Sequence, residues 1–263
     1  MIDFHAHIIP NVDDGSRSVE ETFEIIKEAK EAGFDSIIAT SHYIKNRYES
    51  NVEERNIWID ALQENLNRQK FDFKLYLGNE IYFSDNIINY LEDGEAISMN
   101  FTSYVLFEFS LRTKPSNMYD VIYDMIGAKI VPILAHPERY SFIRKEPELL
   151  YDLAQKGVLM QCNFGSIIGQ YGNSAKIFVK KMFENKYVHF LGTDVHRQNT
   201  IYKNIPECLM EIRKIIGEEK LHEITTTNPT LALANKRIDV DTPKKFELSL
   251  KEKMLMNMKF LNK

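Results

Sequence analysis

The chain opens on a short run that ends in His5-Ala6-His7, with apolar Ile2 and Phe4 alternating with Asp3 and His5. Side chains two apart on a β-strand share a face. Two imidazoles are therefore presented together where a strand gives way to a loop. An isolated pair of this kind is ordinarily two surface histidines. Here five of the seven histidines, His5, His7, His42, His136 and His196, stand at or just past the C-terminal ends of predicted strands. Glu80 and Asp194 stand there too, Glu108 lies in the last residues of a strand, and Asp14 sits in the loop Val12-Asp13-Asp14-Gly15. Mixed imidazole and carboxylate ligation suits Mn²⁺, Fe or Zn²⁺ better than Mg²⁺. Nine such donors are too many for one ion, so two or three ions bridged by a carboxylate such as Glu80 are expected. Ions about 3.5–4 Å apart generate a nucleophile from water and stabilise in-line displacement at phosphorus. Phosphoester hydrolysis follows as the first expectation, although amide-hydrolysing barrels also begin with H-x-H. His189, mid-strand on the face opposite Asp194, and His222, in a helix, miss this rim and are expected to be structural.

The two cysteines do not offer a rival chemistry. A thiol-based tyrosine phosphatase needs Cys-x₅-Arg, but six residues after Cys162 stands Ile168 and six after Cys208 stands Lys214. Two cysteines also give neither a disulfide framework nor a C-x-x-C metal pair, which points to a reducing cytoplasm. No apolar run approaches the roughly 18 residues of a membrane span. The strand that begins at the first residue leaves no room for a cleaved signal peptide. A net charge of −5 and a pI near 5.9 argue against general nucleic-acid binding.

The elements that must position these donors alternate, strand then helix, seven times. Strands are expected at 2–5, 35–40, 73–78, 104–109, 129–135, 158–163 and 187–193, and helices at about 18–32, 52–69, 84–91, 117–126, 147–156 and 175–185. Helical segments continue from the last strand to Asn228-Pro229. Ser18-Val19-Glu20-Glu21 has capping-box spacing at the first helix, which closes before Gly33. Such alternation means βαβ units and a parallel sheet. Without a Gly-rich phosphate loop, a closed or distorted barrel is favoured over a doubly wound sheet. The loops after the strands of such a barrel form one chemical face, and all nine donors fall on it.

As a set, Met1-Ile-Asp-Phe-His-Ala-His7, Asp13-Asp14-Gly15, Thr40-Ser-His42, Gly78-Asn-Glu80-Ile-Tyr82, Glu108-Phe109, Ala135-His-Pro-Glu-Arg-Tyr140 and Thr193-Asp-Val-His196 resemble the PHP (polymerase and histidinol phosphatase) superfamily. They look most like its bacterial protein-tyrosine phosphatase branch, the CpsB/CapC type of capsule and exopolysaccharide operons, in order from residue 1 to about 235. The resemblance implies an α/β fold, a distorted (β/α)₇ TIM-like barrel, with a trinuclear, usually manganese-dependent site. Carried over by motif, one ion would take His5, His7, Glu80 and Asp194, a second Glu80, Glu108 and His136, and a third Asp14, His42 and His196. Whether Asp13 or Asp14 ligates is left open. The substrate implied is phosphotyrosine in a protein, the tail of a cognate bacterial tyrosine kinase. A histidinol-phosphatase-like small-molecule phosphatase and a catalytically silent, metal-bound kinase regulator are the alternatives.

Cations crowd the same loops: Arg17, Lys45, Arg47, Arg112, Lys114, Arg139, Arg144 and Arg197 all follow strand ends. Arg139, three residues past His136 in a shared motif, is suited to bind phosphoryl oxygens bidentately and to stabilise charge rather than donate a proton. The family carries a further arginine several residues past its final histidine, a place Arg197 could fill; Arg17, Lys45, Arg47 and Arg112 are the other substrate-binding candidates. The barrel is expected to occupy residues 1–240. In the remainder, 241–263, Phe246, Leu250, Met254, Met258 and Leu261 recur at helical spacing among lysines. That pattern is a basic amphipathic helix packing back on the barrel, or touching a membrane surface or a kinase.

Overall fold

The structure is a computed structural model and describes residues 1–257 of the chain. Its strands are all parallel. A three-stranded sheet joins β1 (Ile2–Ala6), β2 (Ser36–Ala39) and β4 (Lys74–Leu77) in the order β1-β2-β4. A six-stranded sheet runs β3 (His42–Tyr43), β5 (Glu80–Tyr82), β6 (Tyr104–Glu108), β7 (Val131–Ala135), β8 (Leu159–Asn163) and β9 (Phe190–Gly192). The two sheets curl into one distorted barrel. At its far seam Asp194 N–H donates to His5 O at 2.7 Å and His7 N–H to Val195 O at 2.9 Å, joining β1 to the end of β9.

Two of the seven expected strands are broken, which is why nine appear among the described residues. The second breaks at Thr40-Ser41 and the third at Gly78-Asn79. Side chains take over the pairing there: Thr40 Oγ1 accepts from Ala6 N–H at 3.0 Å, and Asn79 Nδ2 donates to Ser41 O at 2.6 Å. Met99 fills the gap this opens, so close that a Cβ on Gly78 would stand 2.9 Å from its sulfur. After the break, His42 and Glu80 become direct partners across β3 and β5, and Tyr82 pairs with Glu108. The break thus sets two donor residues side by side.

A second irregularity lies in β1. Its register with β2 shifts between Asp3 and Ala6, so β1 carries one residue more than its partner over that stretch. Strict alternation would set Phe4 opposite His5. The bulge instead turns both inward. Phe4 stacks on Phe190 at 4.0 Å within the inner core of Ile38, Leu106 and Ile133, while the His5 Cβ packs so tightly on Gly192 that any side chain there would meet it at 2.5 Å. Asp3 is left outside the barrel, accepting from Thr193 N–H at 2.8 Å and Tyr202 O–H at 2.7 Å.

Helices cover the outer face. α1 (Val19–Glu31) starts at Ser18, whose Oγ accepts from Glu21 N–H at 3.2 Å, and buries Ile25, Ile26 and Ala29. The reciprocal half of the expected capping box slips by one residue, the Glu21 carboxylate taking Arg17 N–H at 2.8 Å. α2 (Val52–Arg68), α3 (Ile87–Glu92), α4 (Met118–Gly127), α6 (Glu148–Gln155) and α8 (Asn173–Glu184) lie close to their expected places. Two five-residue helices had no strong periodicity to announce them, α5 (Ser141–Lys145) and α7 (Phe164–Ile168). After β9 the chain continues through α9 (Ile205–His222) and α10 (Asn228–Leu233).

Two expectations are corrected. The last strand is shorter than 187–193, and His189 precedes it: its N–H still donates to Met160 O at 3.0 Å, while its Nδ1 accepts from Met160 N–H at 3.0 Å, so a side chain supplies one of the two bonds there. In the C-terminal stretch the helix begins only at Leu250 (α11, Leu250–Asn257). Phe246 precedes it in an extended segment and packs on Phe178 and Tyr187, whereas Leu250 and Met254, expected on the same apolar face, are 82% and 70% exposed. The described part of the helix does pack back on the barrel, as one of the two expected readings had it: Met256 lies against the core, Ser174 Oγ donates to Met256 O at 2.7 Å and Lys181 pairs with Glu252 at 3.1 Å. The apolar face thus differs from the expected stripe while the attachment holds, with half-buried Phe246 and buried Leu248 adding to it. Met258, Lys259 and Leu261 lie outside the described residues. Among the described residues no helix is long and apolar enough to cross a membrane.

Candidate metal centre

All nine donors meet at the C-terminal rim of the barrel. His5 Nε2 lies 3.0 Å from His7 Nε2 and 3.3 Å from Glu80 Oε2. Asp194 Oδ1 faces both imidazoles at 3.6 and 3.5 Å. Glu80 Oε2 is 3.0 Å from His42 Nδ1, and Glu80 Oε1 is 2.8 Å from His136 Nε2. Glu108 approaches His42 Nδ1 at 3.4 Å and His136 Nε2 at 3.9 Å. Asp14 Oδ1 lies 3.5 Å from His42 Nε2 and 3.4 Å from His196 Nε2.

Two of these donors hold strained backbone, His136 at φ 35° and Asp194 at φ 56°. Left-handed conformations at non-glycine residues cost about 1–3 kcal/mol and persist where the surroundings impose them. Here each side chain turns back over the barrel mouth immediately after its strand.

The donor chemistry fits divalent cations. Glu80 Oε2 and His42 Nδ1 are buried, 3.0 Å apart, and neither has a hydrogen-bond partner among the described residues. Lone-pair atoms held this close require a proton or a cation between them. The ionisation of the cluster says the same. Burial would lower His5, but Glu80 and Asp194 outweigh it and bring it up to about 9. Burial likewise opposes a charge on His42, yet Glu80 and Glu108 push it up to about 10. Glu108 rises to about 8 through burial and the Glu80 carboxylate. Four carboxylates at one mouth demand positive charge. Three groups of donors have mutually close ligand atoms: His5, His7 and Glu80; His42, Glu80 and Glu108; and His7, Asp14, His42 and His196.

Around the donors lies a set of orienting residues. Asp13 turns away from the cluster centre: its Oδ2 takes His7 Nδ1 at 2.7 Å and His42 N–H at 2.8 Å, and its Oδ1 takes Gly15 N–H at 2.9 Å. Asp14, its neighbour, faces the cluster. Gly15 has no room for a side chain, since a Cβ would stand 2.6 Å from that of His7. Gln161 Oε1 pairs with His5 Nδ1 at 2.9 Å, and Asn163 Nδ2 donates to Asp194 Oδ2 at 2.8 Å. Sequence reasoning missed this pair, although polar residues at alternate positions closing the apolar strand 159–163 were the available signal. Such partners fix imidazole orientation and raise ligand basicity.

The cluster floors a cavity of about 420 Å³ walled by Tyr48, Tyr82, Leu111, Arg139, Tyr171 and Arg197, among others. Of the expected substrate-binding cations, Arg139 and Arg47 line it. Arg139 Nη1 donates to Asp194 Oδ2 at 2.6 Å. Arg197 also reaches the wall, with Nη1 spent on His196 O at 2.8 Å and on Gly15 O, so it braces two donor loops. Arg17, Lys45 and Arg112 do not line it. Arg17 and Arg112 are exposed elsewhere on the surface, and Lys45 is paired with Glu95 at 3.0 Å and Glu49 at 3.2 Å. Lys114 pairs with Glu146 and Arg144 with Glu138 O. Following a strand end was not enough: Lys45 and Lys114 are drawn off by Glu95 and Glu146, distant in sequence, and Arg144 by the nearby Glu138 carbonyl. Cys162 and Cys208 are both buried and outside the cavity wall.

The profile of the family described as capsular polysaccharide synthesis, CpsB/CapC, matches residues 1–234. The tyrosine-protein phosphatase YwqE of Bacillus subtilis is 32% identical over 238 residues, 90% of this chain and 93% of that protein. A crystal structure from work on YwqE of Bacillus subtilis and CpsB of Streptococcus pneumoniae, described as unique metal-dependent tyrosine phosphatases, superposes with a TM-score of 0.89 at 31% identity, covering 94% of this chain and 100% of that one. The histidinol phosphate phosphatase of Lactococcus lactis shares the fold at a TM-score of 0.54 and 16% identity, over 85% of this chain and 94% of that one.

Proposed function

The chain belongs to the CpsB/CapC family, and on that premise we propose that it is a metal-dependent protein-tyrosine phosphatase acting at the barrel-rim cluster. The observation that carries the reading is the junction at Asp194, whose Oδ1 faces His5 and His7 while its Oδ2 holds Arg139. One carboxylate thereby ties the donor cluster to a guanidinium suited to phosphoryl oxygens.

In this reading His5, His7, Glu80 and Asp194 would hold one ion, Glu80, Glu108 and His136 a second, and Asp14, His42 and His196 a third. Manganese is the ion of choice, with iron or zinc as substitutes. Bound divalent cations supply charge for the phosphoryl oxygens and a nucleophile from water at neutral pH. Arg139 binds the remaining phosphoryl oxygens and offsets the charge that builds on them. Tyr48, Tyr82 and Leu111 give the cavity mouth an apolar wall for an aromatic ring. The leaving group fits as well. A tyrosine phenol has a pKa near 10 and departs with little protonation, whereas an alkoxide needs a general acid. Arg139 is too basic for that role, and the rim histidines and carboxylates serve as ligands.

The substrate we assign is a phosphotyrosine protein of the capsule or exopolysaccharide pathway, the tail of a cognate tyrosine kinase, dephosphorylated in the cytoplasm. Residues 1–240 form the catalytic barrel and 241–263 an extension to it. The test is turnover with Mn²⁺ present. Phosphotyrosyl peptides should exceed phosphoseryl peptides and histidinol phosphate in kcat/KM. Equal or better turnover of the alkyl phosphates would make the small-molecule phosphatase the better assignment.

A further inference from the structure

Arg139 is held from two directions. Its Nη1 donates to Asp194 Oδ2 at 2.6 Å, and its guanidinium carbon stands 4.5 Å from the centre of the Tyr171 ring. Tyr171 lies in the short connection between α7 and α8, bounded by Gly169 at φ 95° and Gly172 at φ 91°. Gly172 N–H closes that turn onto Gly169 O at 2.9 Å. Two glycines at positive φ let the chain bend sharply enough to present one large side chain to the cavity. Asn163 Nδ2 donates to the same Asp194 oxygen at 2.8 Å, steadying the carboxylate that holds the guanidinium. Ring and carboxylate thus hold one face and one end of the guanidinium.

An arginine side chain carries about 2 kcal/mol of rotamer entropy. A single hydrogen bond at Nη1 leaves the plane free to turn about it. A π face beneath the cation removes that freedom and adds roughly 0.5–2 kcal/mol of attraction, depending on desolvation. With Nη1 spent on Asp194 and one face covered, the guanidinium of this cavity-lining residue keeps a fixed plane for its remaining N–H donors.

We propose that Tyr171 is the positioning residue for Arg139, its ring setting the guanidinium plane for the phosphoryl group. The role rests on the phosphatase assignment and acts through Arg139 alone. It requires the π face and not the hydroxyl.

A double-mutant cycle on the Mn²⁺-loaded full chain, with a phosphotyrosyl peptide, tests it. Tyr171→Phe should keep kcat within about twofold, while Tyr171→Leu should lower kcat about tenfold with a smaller change in KM. Placed on Arg139→Ala, Tyr171→Leu should cost nothing further. The same tenfold loss on that background, or a Phe variant as damaged as the Leu variant, would overturn the proposal. Should Tyr171→Leu fail to fold, Tyr171→Gln, polar and without a π face, makes the same comparison. If the wild-type chain turns over no phosphotyrosine, the phosphatase assignment is what fails. Calorimetric binding of inorganic phosphate to the same loaded variants then decides Tyr171: unchanged affinity in the Leu and Gln variants would overturn its role, and weakening that disappears on Arg139→Ala would support it.

Discussion

Asp194 and Arg139 are joined at 2.6 Å through the carboxylate oxygen that points away from the histidine cluster. The other oxygen faces His5 and His7. Burial opposes a charged carboxylate, yet His5 and Arg139 hold Asp194 well below the usual range, so it stays an anion between two kinds of cation. Arg139→Lys keeps the charge and loses the planar fork, and should lower kcat about 10²-fold. Asp194→Asn should lower kcat and metal content together. Steady-state kinetics with paired elemental analysis separates the two. A lysine variant with wild-type kcat would remove Arg139 from the chemistry.

The cluster should take at least two transition-metal ions per chain, since its nine donors exceed the coordination of one. Elemental analysis after saturation with Mn²⁺ should read two or three equivalents, and a strong chelator should abolish turnover that Mn²⁺ then restores. Cys162→Ser combined with Cys208→Ser should remain active, both thiols being buried away from the cavity. One equivalent at saturation would end the multinuclear assignment.

Neighbouring acids should behave differently. Asp14 faces His42 and His196, so Asp14→Ala should remove one metal equivalent. Asp13 holds His7 from behind at 2.7 Å, so Asp13→Asn should keep the stoichiometry and weaken affinity about 10–100-fold. Metal titration of the two chelated variants compares them. Loss of an equivalent in the Asp13 variant alone would reverse the roles.

His189 sets an acid limit on stability. Burial, then the Lys220 charge, lowers it from 6.5 to about 4. Below pH 6.5 the unfolded chain takes up a proton that the folded chain refuses, so stability falls from pH 6.5 down to about 4 and its share then levels off. The contribution is on the order of 3 kcal/mol. His189→Asn keeps an acceptor for Met160 N–H without a titrating ring, and its denaturant midpoint should fall less steeply over that window. An unchanged slope would assign the acid sensitivity to other groups.

The sequence by itself determined the order of strands and helices and the convergence of nine donors on one rim. That much was legible because it is local. Most of the donors stand within a residue or two of the end of a short apolar run, Asp14 and His196 follow in the loops after such ends, and in a parallel barrel all these ends face one way. The choice of mechanism was legible for the same reason, since Cys-x₅-Arg is absent from both cysteine neighbourhoods.

Only the tertiary structure decided which side chains meet. Alternation in β1 sets Phe4 opposite His5, and a bulge against β2 turns both inward and leaves Asp3 outside. Asp13 and Asp14 are adjacent in the chain, and their roles part because His7 stands behind one while His42 and His196 stand before the other. Arg47 reaches the cavity while Lys45, two residues earlier, is drawn off by Glu95, about fifty residues away. Gln161, Asn163 and Tyr171 matter through His5, Asp194 and Arg139, partners that the fold brings together across the barrel mouth. A periodic pattern assigns a residue to a face. Hydrogen bonds and ring contacts depend on ångström-scale distances between segments far apart in the chain, and those are settled by strand register, bulges and the packing of the helices behind them.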